Sequence, residues 1–384
     1  MRLPFVNKAV LQGLFVSFFY VIFLIFNDYF HIINLKITDT DFYLDTIKQI
    51  NKFDKTRLIT TPLYVVEITD SDIQKYDLTG YALPKSIINK ILYKYEKSDA
   101  SLLFLDLDIS KPSCIESQLF SKGEFELLDI LNKSKKRIIL PSLDVSPLYK
   151  DINNSLISIL SVEYLALDDL SVNRYSLGTD AKESVAFSIY QGLTQNDTNL
   201  SESKNWTDEK LSNLIIYKEF DKANSYYSGL SKISLSQFLD DNVSYTDAVL
   251  MLGRVDKNSH DYFNTPIGVI PGIYINANAV MSMYYYGEIK SYYLLNALMA
   301  FLLGQGFSIA YEYLKYKKYV AENKEDFIAG LGIVIFSLLC IVSSYFLLEY
   351  YSIWIDYQKV VFVFTVYEAV KILKESKLLK KGKT

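Results

Sequence analysis

The sequence predicts an α/β domain with a mainly parallel sheet, together with four transmembrane helices, one before the domain and three after it. Three observations lead to this prediction. Apolar residues are concentrated near the two ends of the 384-residue chain, as in a membrane protein. Between these ends, short β-branched runs alternate with segments of helical period. Lysine-rich stretches separate the apolar segments in the pattern of a multi-pass protein.

Composition excludes several classes of protein. The net charge of -4 lacks the basic footprint of a nucleic-acid-binding protein. The two cysteines, Cys114 and Cys340, lie far apart in unlike segments, so we expect no disulfide framework and, with His31 and His260, no ordinary four-ligand zinc site. The central region has no glycine-rich phosphate loop and no nucleophile elbow. We therefore expect no catalytic residues and no cofactor.

The first apolar segment, Ala9 to Phe26, is long enough to cross a bilayer and follows two basic residues, Arg2 and Lys8. A secretory signal peptide is the alternative, because it also joins a basic stretch to an apolar core. The segment is followed by "NDYF" instead of a small-residue cleavage site. The prediction is an uncleaved membrane anchor.

Charge sets the orientation of the predicted spans. The stretches "KYKKYVAENK" and "KESKLLKKGK" are rich in lysine, whereas the short link "EYYS" has no basic residue. Because basic residues stay in the cytoplasm, the large middle region is predicted to face outward from the inner (cell) membrane. The predicted boundaries are 1–8, 312–326 and 374–384 in the cytoplasm, 27–291 and 349–353 outside it, and 9–26, 292–311, 327–348 and 354–373 in the membrane.

The second span carries small and polar residues at every fourth position, namely Asn296, Ala300, Gly304 and Ser308. A stripe of this kind lets helices approach closely in lipid. It predicts a helix-packing face, either against the other spans of this chain or against a second copy of it.

The outward domain begins with a strand, a helix and a second strand. The run "PLYVVEITDSD" from Pro62 to Asp72 is β-branched and ends in carboxylates. The stretch "PKSIINKILYKYEKS", with Pro84 near its start, places its isoleucines on one helix face. The run "ASLLFLDLDIS" then predicts the second strand. A strand, a helix and a strand of these lengths predict a βαβ unit with parallel strands.

Later segments fit the same sheet. A helix over 118–133 and a strand over 135–143 form a fainter third repeat. The segments "AKESVAFSIYQGL" and "SLSQFLDD" predict helices, and "NLIIYKEF" and "DAVLMLGRV" predict strands. The polar stretch over 192–210 predicts a surface loop.

Carboxylates follow both early strands, Asp70 and Asp72 after the first and Asp106 and Asp108 after the second. Ligands of parallel α/β sheets favour the carboxyl ends of the strands, so neighbouring strands would bring these side chains together, with Asp261 at the same rim. A hard cation or a cationic ligand group would suit them, although the sequence leaves the metal unknown. The alternative is that they cap helices and turns.

The stretch "NTPIGVIPGIYINANAV" precedes the second apolar segment. Its prolines fix φ, so we expect a stiff connection that conveys a change in the domain to the membrane, with Thr265, Pro266, Pro271 and Gly272 as the coupling residues. The next helix is expected to bury Ile275, Ala277, Val280 and Tyr284. It also carries two amides, Asn276 and Asn278, which must find hydrogen-bond partners when buried.

Four elements of the chain resemble the second type of CHASE domain, the cyclase/histidine-kinase-associated sensory extracellular domain. They are "VVEITDSD", "LPKSIINKILYKYEKSDASLLFLDLDIS", "DAVLMLGRV" and "DYFNTPIGVIPGIYINANAVMSMYYYG". In that family a Pro-Arg pair starts the helix, where this chain has Pro84-Lys85. A His-Ala-Asn motif follows the Pro-Gly turn, where this chain has Asn276-Ala277-Asn278. The resemblance covers roughly residues 30–375 and includes the layout of one span before the domain and three after it.

The resemblance implies an extracytoplasmic sensor that binds a ligand and signals across the membrane. Family members commonly carry a cytoplasmic output domain, and the expectation here is that a separate, unidentified cytoplasmic or envelope protein takes that role. The candidate ligand-binding residues are Asp70, Asp72, Asp106, Asp108, Asp261, Asn276 and Asn278. An envelope-anchoring or assembly protein, whose outer domain docks on another protein, is the alternative function.

Overall fold

The structure is a computed structural model, and the chain forms two compact units, one of residues 44–287 and the other of residues 1–43 together with 288–384. The structure describes residues 14, 18, 61–78, 83–109, 122–142, 147–162, 164–167, 171–176, 178–179, 182–194, 212–215, 230–240, 243–259, 261–265, 268–286, 290–291, 293–316, 325–351, 353–355, 360 and 364–366.

The unit of residues 44–287 is built on a six-stranded sheet in the order β10-β1-β11-β2-β3-β4, and every neighbouring pair is parallel. The strands of this sheet are Leu63–Ile68 (β1), Leu102–Asp106 (β2), Arg137–Pro141 (β3), Ile157–Leu160 (β4), Leu230–Ser234 (β10) and Val249–Arg254 (β11). The three central strands are almost continuously apolar because both of their faces are covered.

Helices cover the two faces of the sheet. Their bounds are Asp70–Lys75 (α1), Lys85–Lys97 (α2), Lys122–Lys133 (α3), Pro147–Lys150 (α4), Val185–Leu193 (α5), Leu235–Asp240 (α6) and Gly272–Tyr286 (α7). One face of the sheet packs with α2, α3 and α6 into a single apolar core. The other face packs against α5 and α7, which also contact each other.

Alternation along the strands sends successive side chains to opposite faces. On β1, for example, Val66 and Ile68 belong to the core beneath α2 and α3, whereas Leu63 and Val65 are equally inaccessible on the face toward α7. At the typical value of about 25 cal/mol per Å² of buried apolar surface, this two-sided burial is the main stabilising contribution to the domain.

Shorter strands form three small antiparallel sheets. Tyr164–Leu167 (β5), Ser171–Ser176 (β6) and Ser212–Leu214 (β9) form one, in the order β5-β6-β9. Gly178–Thr179 (β7) pairs with Lys182–Glu183 (β8). Tyr262–Thr265 (β12) pairs with Gly268–Pro271 (β13) as a hairpin directly before α7.

The parallel sheet and its first helices were predicted correctly, but the strand order was not. The strand β11, which comes late in the sequence, lies between β1 and β2, so the first two strands are not neighbours. The segment "NLIIYKEF" contributes to β9, which pairs antiparallel with β6 outside the main sheet. The strands β4 and β10 were not predicted, because both are short and only partly buried. The helix expected to bury Tyr284 leaves that side chain half-buried.

The second unit contains two long helices, Tyr293–Tyr316 (α8) and Glu325–Tyr351 (α9), which pack against each other. A short parallel pair joins Lys290–Ser291 (β14) to Ile353–Trp354 (β15). The ring of Phe307 on α8 meets those of Phe336 and Phe364 edge to face. The predicted packing stripe of Asn296, Ala300, Gly304 and Ser308 lies on a buried face of α8.

Among the residues that the structure describes, none of the helices combines the length and the apolar character needed to cross a membrane. Of the first predicted span, only Leu14 and Phe18 are described, and most of the fourth predicted span lies outside the described residues. The four predicted spans therefore stay a prediction.

Candidate functional site

Three residues line up at the carboxyl ends of the three central strands. Glu67 on β1 is in register with Gly253 on β11, and Gly253 is in register with Asp106 on β2. Each of the three lies on the strand face that packs against α5 and α7, and the preceding residues on that face of each strand are apolar. Two acidic side chains and a glycine thus replace the apolar side chains of this face at the edge where parallel sheets bind ligands.

The helix α7 lies directly over this row. A Cβ at Gly253 would lie 2.7 Å from the Cβ of Ile273, so only a glycine allows α7 to come this close to the sheet. Ile273 thereby separates the row into two polar sides, one at Asp106 and one at Glu67.

On the first side, Asn276 donates a hydrogen bond from Nδ2 to Asp106 Oδ2 at 3.1 Å. Asn276 is buried, whereas Asp106 keeps part of its surface open to solvent. Burial and the nearby carboxylate of Asp261 raise the pKa of Asp106 well above its usual value, and the hydrogen bond from Asn276 only partly opposes this.

Asp261 reaches the same place from the connection between β11 and β12. Its backbone carbonyl accepts a 2.9 Å hydrogen bond from the N–H of Gly272, the first residue of α7. A Cβ at Gly272 would lie 2.5 Å from Asp261 Oδ2, so the absence of a side chain at the helix start leaves room for the Asp261 carboxyl group. Burial also raises the pKa of Asp261, and a hydrogen bond from the Gly272 backbone opposes that rise. The structure thus brings together three of the predicted site residues, Asp106, Asp261 and Asn276.

On the second side, the hydroxyl of Tyr274 on α7 donates a hydrogen bond to Glu67 Oε1. Lys232 on β10 lies 3.4 Å from the same oxygen, and its Nζ sits 4.7 Å from the centre of the Tyr274 ring. The Glu67 and Lys232 side chains are 16% and 23% exposed, so this ion pair is only partly open to solvent.

These five side chains, Glu67, Asp106, Asp261, Tyr274 and Asn276, form what we call the polar recess. Four of them are partly exposed and Asn276 forms the buried wall. Glu67 and Tyr274 were not among the predicted site residues. An acidic residue inside the otherwise apolar strand "LYVVEI" was the signal for Glu67, whereas only the tertiary fold pairs it with Tyr274.

The remaining residues of the hairpin and of α7 make local contacts. The buried amide of Asn278 donates from Nδ2 to the Tyr274 carbonyl at 2.9 Å. Both buried asparagines therefore have hydrogen-bond partners, as predicted. Thr265 donates from Oγ1 to the Gly268 carbonyl at 2.6 Å and closes the hairpin. Pro271 ends β13, and Pro266 lies outside the described residues.

Asp70 and Asp72 are held by other contacts. Asp72 is buried and forms a capping box with Thr69, while its Oδ1 accepts a 2.9 Å hydrogen bond from the N–H of Ser236. Burial raises its pKa, but the hydrogen bonds from Thr69 and Ser236 outweigh this and lower it. Asp70 accepts a hydrogen bond from the N–H of Lys257 at 3.1 Å. Because β11 separates β1 from β2, these two aspartates anchor loops on the β1 side of the sheet.

Asp108 belongs to a cluster at the start of α2. The buried Lys85, which stands at the position of the family's arginine, donates from Nζ to the Ile109 carbonyl at 2.6 Å. Burial lowers the pKa of Lys85, and the charges of Glu124 and Asp108 oppose this. The lysine therefore ties the β2 end to the helices α2 and α3, instead of lining the recess.

The recess contains two carboxylates near each other and a third across Ile273. Within the described part of the chain, no three or more His, Cys, Asp or Glu side chains are grouped as metal ligands. The recess offers carboxyl, amide and hydroxyl groups, and the ammonium group of Lys232 lies beside Glu67.

Comparisons with known proteins place the chain in a family. Searches of curated protein sequences and of solved structures gave no significant match. The family model of the CHASE2 domain matches residues 16–306, which include the whole parallel sheet, the hairpin and α7. This family consists of extracellular sensory domains, and its model confirms the resemblance seen in the sequence motifs. The chain belongs to the CHASE2 domain family.

Proposed function

We propose that this chain is a membrane-anchored sensory-input protein. Its α/β domain lies outside the cytoplasm and binds a small ligand in the polar recess. Binding changes the position of α7 and of the hairpin before it, and the change is passed to a separate signalling protein. In this proposal the chain binds and transmits, and it performs no catalysis.

The observation that carries this proposal is the composition of the recess. Elsewhere on this face the central strands bear Leu, Val, Phe and Met side chains that are inaccessible to solvent. Placing Glu67 and Asp106 at the end of such a face costs free energy that apolar residues would not cost. Departures of this kind from an apolar core are typical of functional sites.

The location of the recess supports a role in signalling. Asn276, Ile273 and Tyr274 all belong to the first two turns of α7, and all three contact the strand-end row. A ligand that binds between the row and α7 more tightly in one position of the helix would shift the population toward that position. The hairpin and α7 are continuous in the chain with the segment that leads to α8.

Membrane anchoring is supported by the outer surfaces of α8 and α9. Large apolar side chains are about half exposed along both helices, including Leu298, Leu302, Leu331, Val334, Ile335, Leu338, Leu339 and Phe346. The small and polar stripe of α8 faces inward instead. Helices that pack in lipid place apolar side chains on the outside and small side chains at the helix contact. An uncovered apolar surface of this extent favours contact with lipid over contact with water.

Ligand binding is tested on the full chain in detergent micelles by a thermal-shift screen against divalent cations and small cationic metabolites. We expect a compound that raises the melting temperature of the wild type, and little or no shift with Asp106→Asn or Tyr274→Phe. The matched control is Asp240→Asn, whose carboxylate forms an exposed ion pair with Lys75 on the far side of β1. A hit that shifts both recess variants as much as the wild type would contradict ligand binding in the recess.

Membrane topology is tested in intact cells with a protease-cleavable tag after Thr384 and a second tag in the polar stretch at 192–210. The proposal predicts that external protease removes the second tag and leaves the first intact. Cleavage of the terminal tag, or recovery of the chain in the soluble fraction, would contradict the proposed orientation.

A further inference from the structure

Two carboxyl groups of the polar recess contact the same face of α7, one turn apart. Asp261 lies against Gly272, the first residue of the helix, and Asp106 accepts the hydrogen bond from Asn276. Residues four apart on a helix lie above one another on one face. Both carboxyl groups therefore contact the first two turns of α7.

Among the described residues, the groups that contact this pair are uncharged. The neighbouring strand β11 presents Gly253, and α7 presents Ile273 and Asn276. The electrostatic influences on Asp106 are its burial, the charge of Asp261 and the amide of Asn276.

Two basic side chains on the neighbouring strands form ion pairs with other acids. Lys232 pairs with Glu67, and Arg254 forms a two-pronged ion pair with Asp256 at 2.7 and 2.9 Å. In the described part of the chain, no lysine or arginine makes an ion pair with Asp106 or Asp261. Two ionised carboxylates at this place would repel each other without a compensating cation.

The two carboxyl groups differ in how firmly they are held. Asp106 ends β2, which is hydrogen-bonded to β11 on one side and to β3 on the other. Asp261 lies between β11 and β12, outside every strand, and its backbone is bonded to the start of α7. Repulsion between them would move Asp261 and the helix start, because the sheet holds Asp106 in place.

We propose that Asp106 and Asp261 form a proton-operated latch on the first turn of α7. When the pair holds one proton, one carboxyl group is neutral, so the two groups do not repel each other and Gly272 stays against the sheet. When that proton leaves to solvent, two negative charges remain, and Asp261 moves away from β2 together with the start of α7 and the end of β13. The role of this latch in signalling rests on the sensory function proposed above. The movement of Asp261 and the start of α7 does not depend on that function.

Two further observations agree with the latch. The pKa values of both carboxyl groups are raised, so the singly protonated pair persists to higher pH than isolated carboxyl groups would allow. Both side chains are partly exposed, so the proton can exchange with bulk solvent without opening the domain.

Hydrogen–deuterium exchange of the full chain in detergent micelles tests the latch without a ligand or a signalling partner. We expect peptides within 261–280 to exchange roughly tenfold faster at pH 9.5 than at pH 6.5, after correction for the intrinsic rate, as one pKa unit of net repulsion would give. Peptides within α2 should show no comparable change.

Asp106→Asn provides the decisive comparison, because its side chain is uncharged at every pH. We expect this variant to keep the slow exchange of 261–280 at pH 9.5, and Asp261→Asn to do the same. Asp256→Asn breaks a nearby ion pair without touching the latch, so it should retain the pH dependence of the wild type. Equal exchange of the wild type at both pH values, or an unchanged pH dependence in Asp106→Asn, would overturn the latch. If the wild type shows the pH-dependent exchange but no compound raises its melting temperature, the sensory proposal is refuted and the latch is not.

Discussion

Asn276 on α7 donates a 3.1 Å hydrogen bond to Asp106 at the end of β2, and this bond joins the helix to the centre of the sheet. Asn276 is buried, so its amide has no water to replace a lost partner. The pair connects "NAN", which stands where the family usually has His-Ala-Asn, to the strand end "LFLD". The first prediction concerns this bond.

Replacing Asn276 with alanine removes a hydrogen bond that stabilises the ionised form of Asp106. We expect the free energy of unfolding to fall by about 1–3 kcal/mol, the cost of leaving a buried polar group unpaired. Denaturant unfolding of the full chain measures this change. The control Asn258→Ala removes an exposed amide and should change stability by less than about 0.5 kcal/mol. Equal effects of the two variants would contradict a structural role for the bond.

The raised pKa of Asp106, about 8, predicts that the domain loses stability as pH rises. Between the ordinary aspartate pKa of 3.8 and about 8, the folded state holds a proton that the unfolded state has released. Stability therefore falls with pH across this window and is level above it. We expect Asp106→Asn to be more stable than the wild type at pH 8 by roughly 1–2 kcal/mol, after allowing for partial solvent screening, and to match it near pH 4.

Melting temperatures from pH 4 to pH 9 measure this difference. The two curves should converge at low pH and separate as pH rises. A constant offset between them would mean that the substitution acts through packing and not through the ionisation of Asp106.

Asp72 should show the opposite pH dependence. Its pKa is lowered in the folded state because hydrogen bonds from Thr69 and Ser236 outweigh its burial. Its contribution to stability is therefore present above the ordinary aspartate pKa of 3.8 and is lost as pH falls through the lower folded value. We expect Asp72→Asn to cost about 1–2 kcal/mol at pH 7, since it removes a helix cap, and to cost less below pH 3.

The same melting series provides the test, and ligand binding gives a second readout. If Asp72 anchors loops and does not line the recess, the variant keeps the ligand-induced shift of the wild type. Loss of that shift in Asp72→Asn would place this carboxylate in the binding site.

Gly253 sets the distance between α7 and the sheet. A Cβ at this position would lie 2.7 Å from the Cβ of Ile273, an atom next to the helix backbone that cannot swing aside. We expect Gly253→Ala to destabilise the domain by about 1–3 kcal/mol, as overpacking in a core does, and to weaken ligand binding in the recess.

Gly192 on α5 is the matched control. A Cβ there would lie 2.8 Å from Cδ1 of Leu102, but that atom is the end of a flexible side chain, and the next contacts are at 3.9 Å. Gly192→Ala should therefore cost little, and the better helix propensity of alanine offsets part of the cost. Denaturant unfolding that ranks Gly192→Ala as more damaging than Gly253→Ala would contradict this account of α7.

Sequence patterns predicted much of the fold and part of the candidate site. Continuous apolar runs and an amphipathic helix between them predicted the parallel strands β1 and β2, because strands that are buried on both faces consist almost entirely of apolar residues. The need of buried amides for partners predicted that Asn276 and Asn278 would be bonded. The gathering of the early carboxylates was predicted for neighbouring strands, and β11 separates β1 from β2, so Asp106 meets Asp261 and Asn276 instead.

The sequence by itself determined the class of the domain, its family and the presence of two polar amides in an apolar helix, because these depend on local composition and on motifs. The tertiary structure alone decided which residues meet. It inserted β11 between β1 and β2, assigned Asp72 to a helix cap, and brought Asp261 and Asn276 to Asp106 from positions more than 150 residues later in the chain. Strand order depends on how long connections pack across the sheet, and no local pattern records that packing.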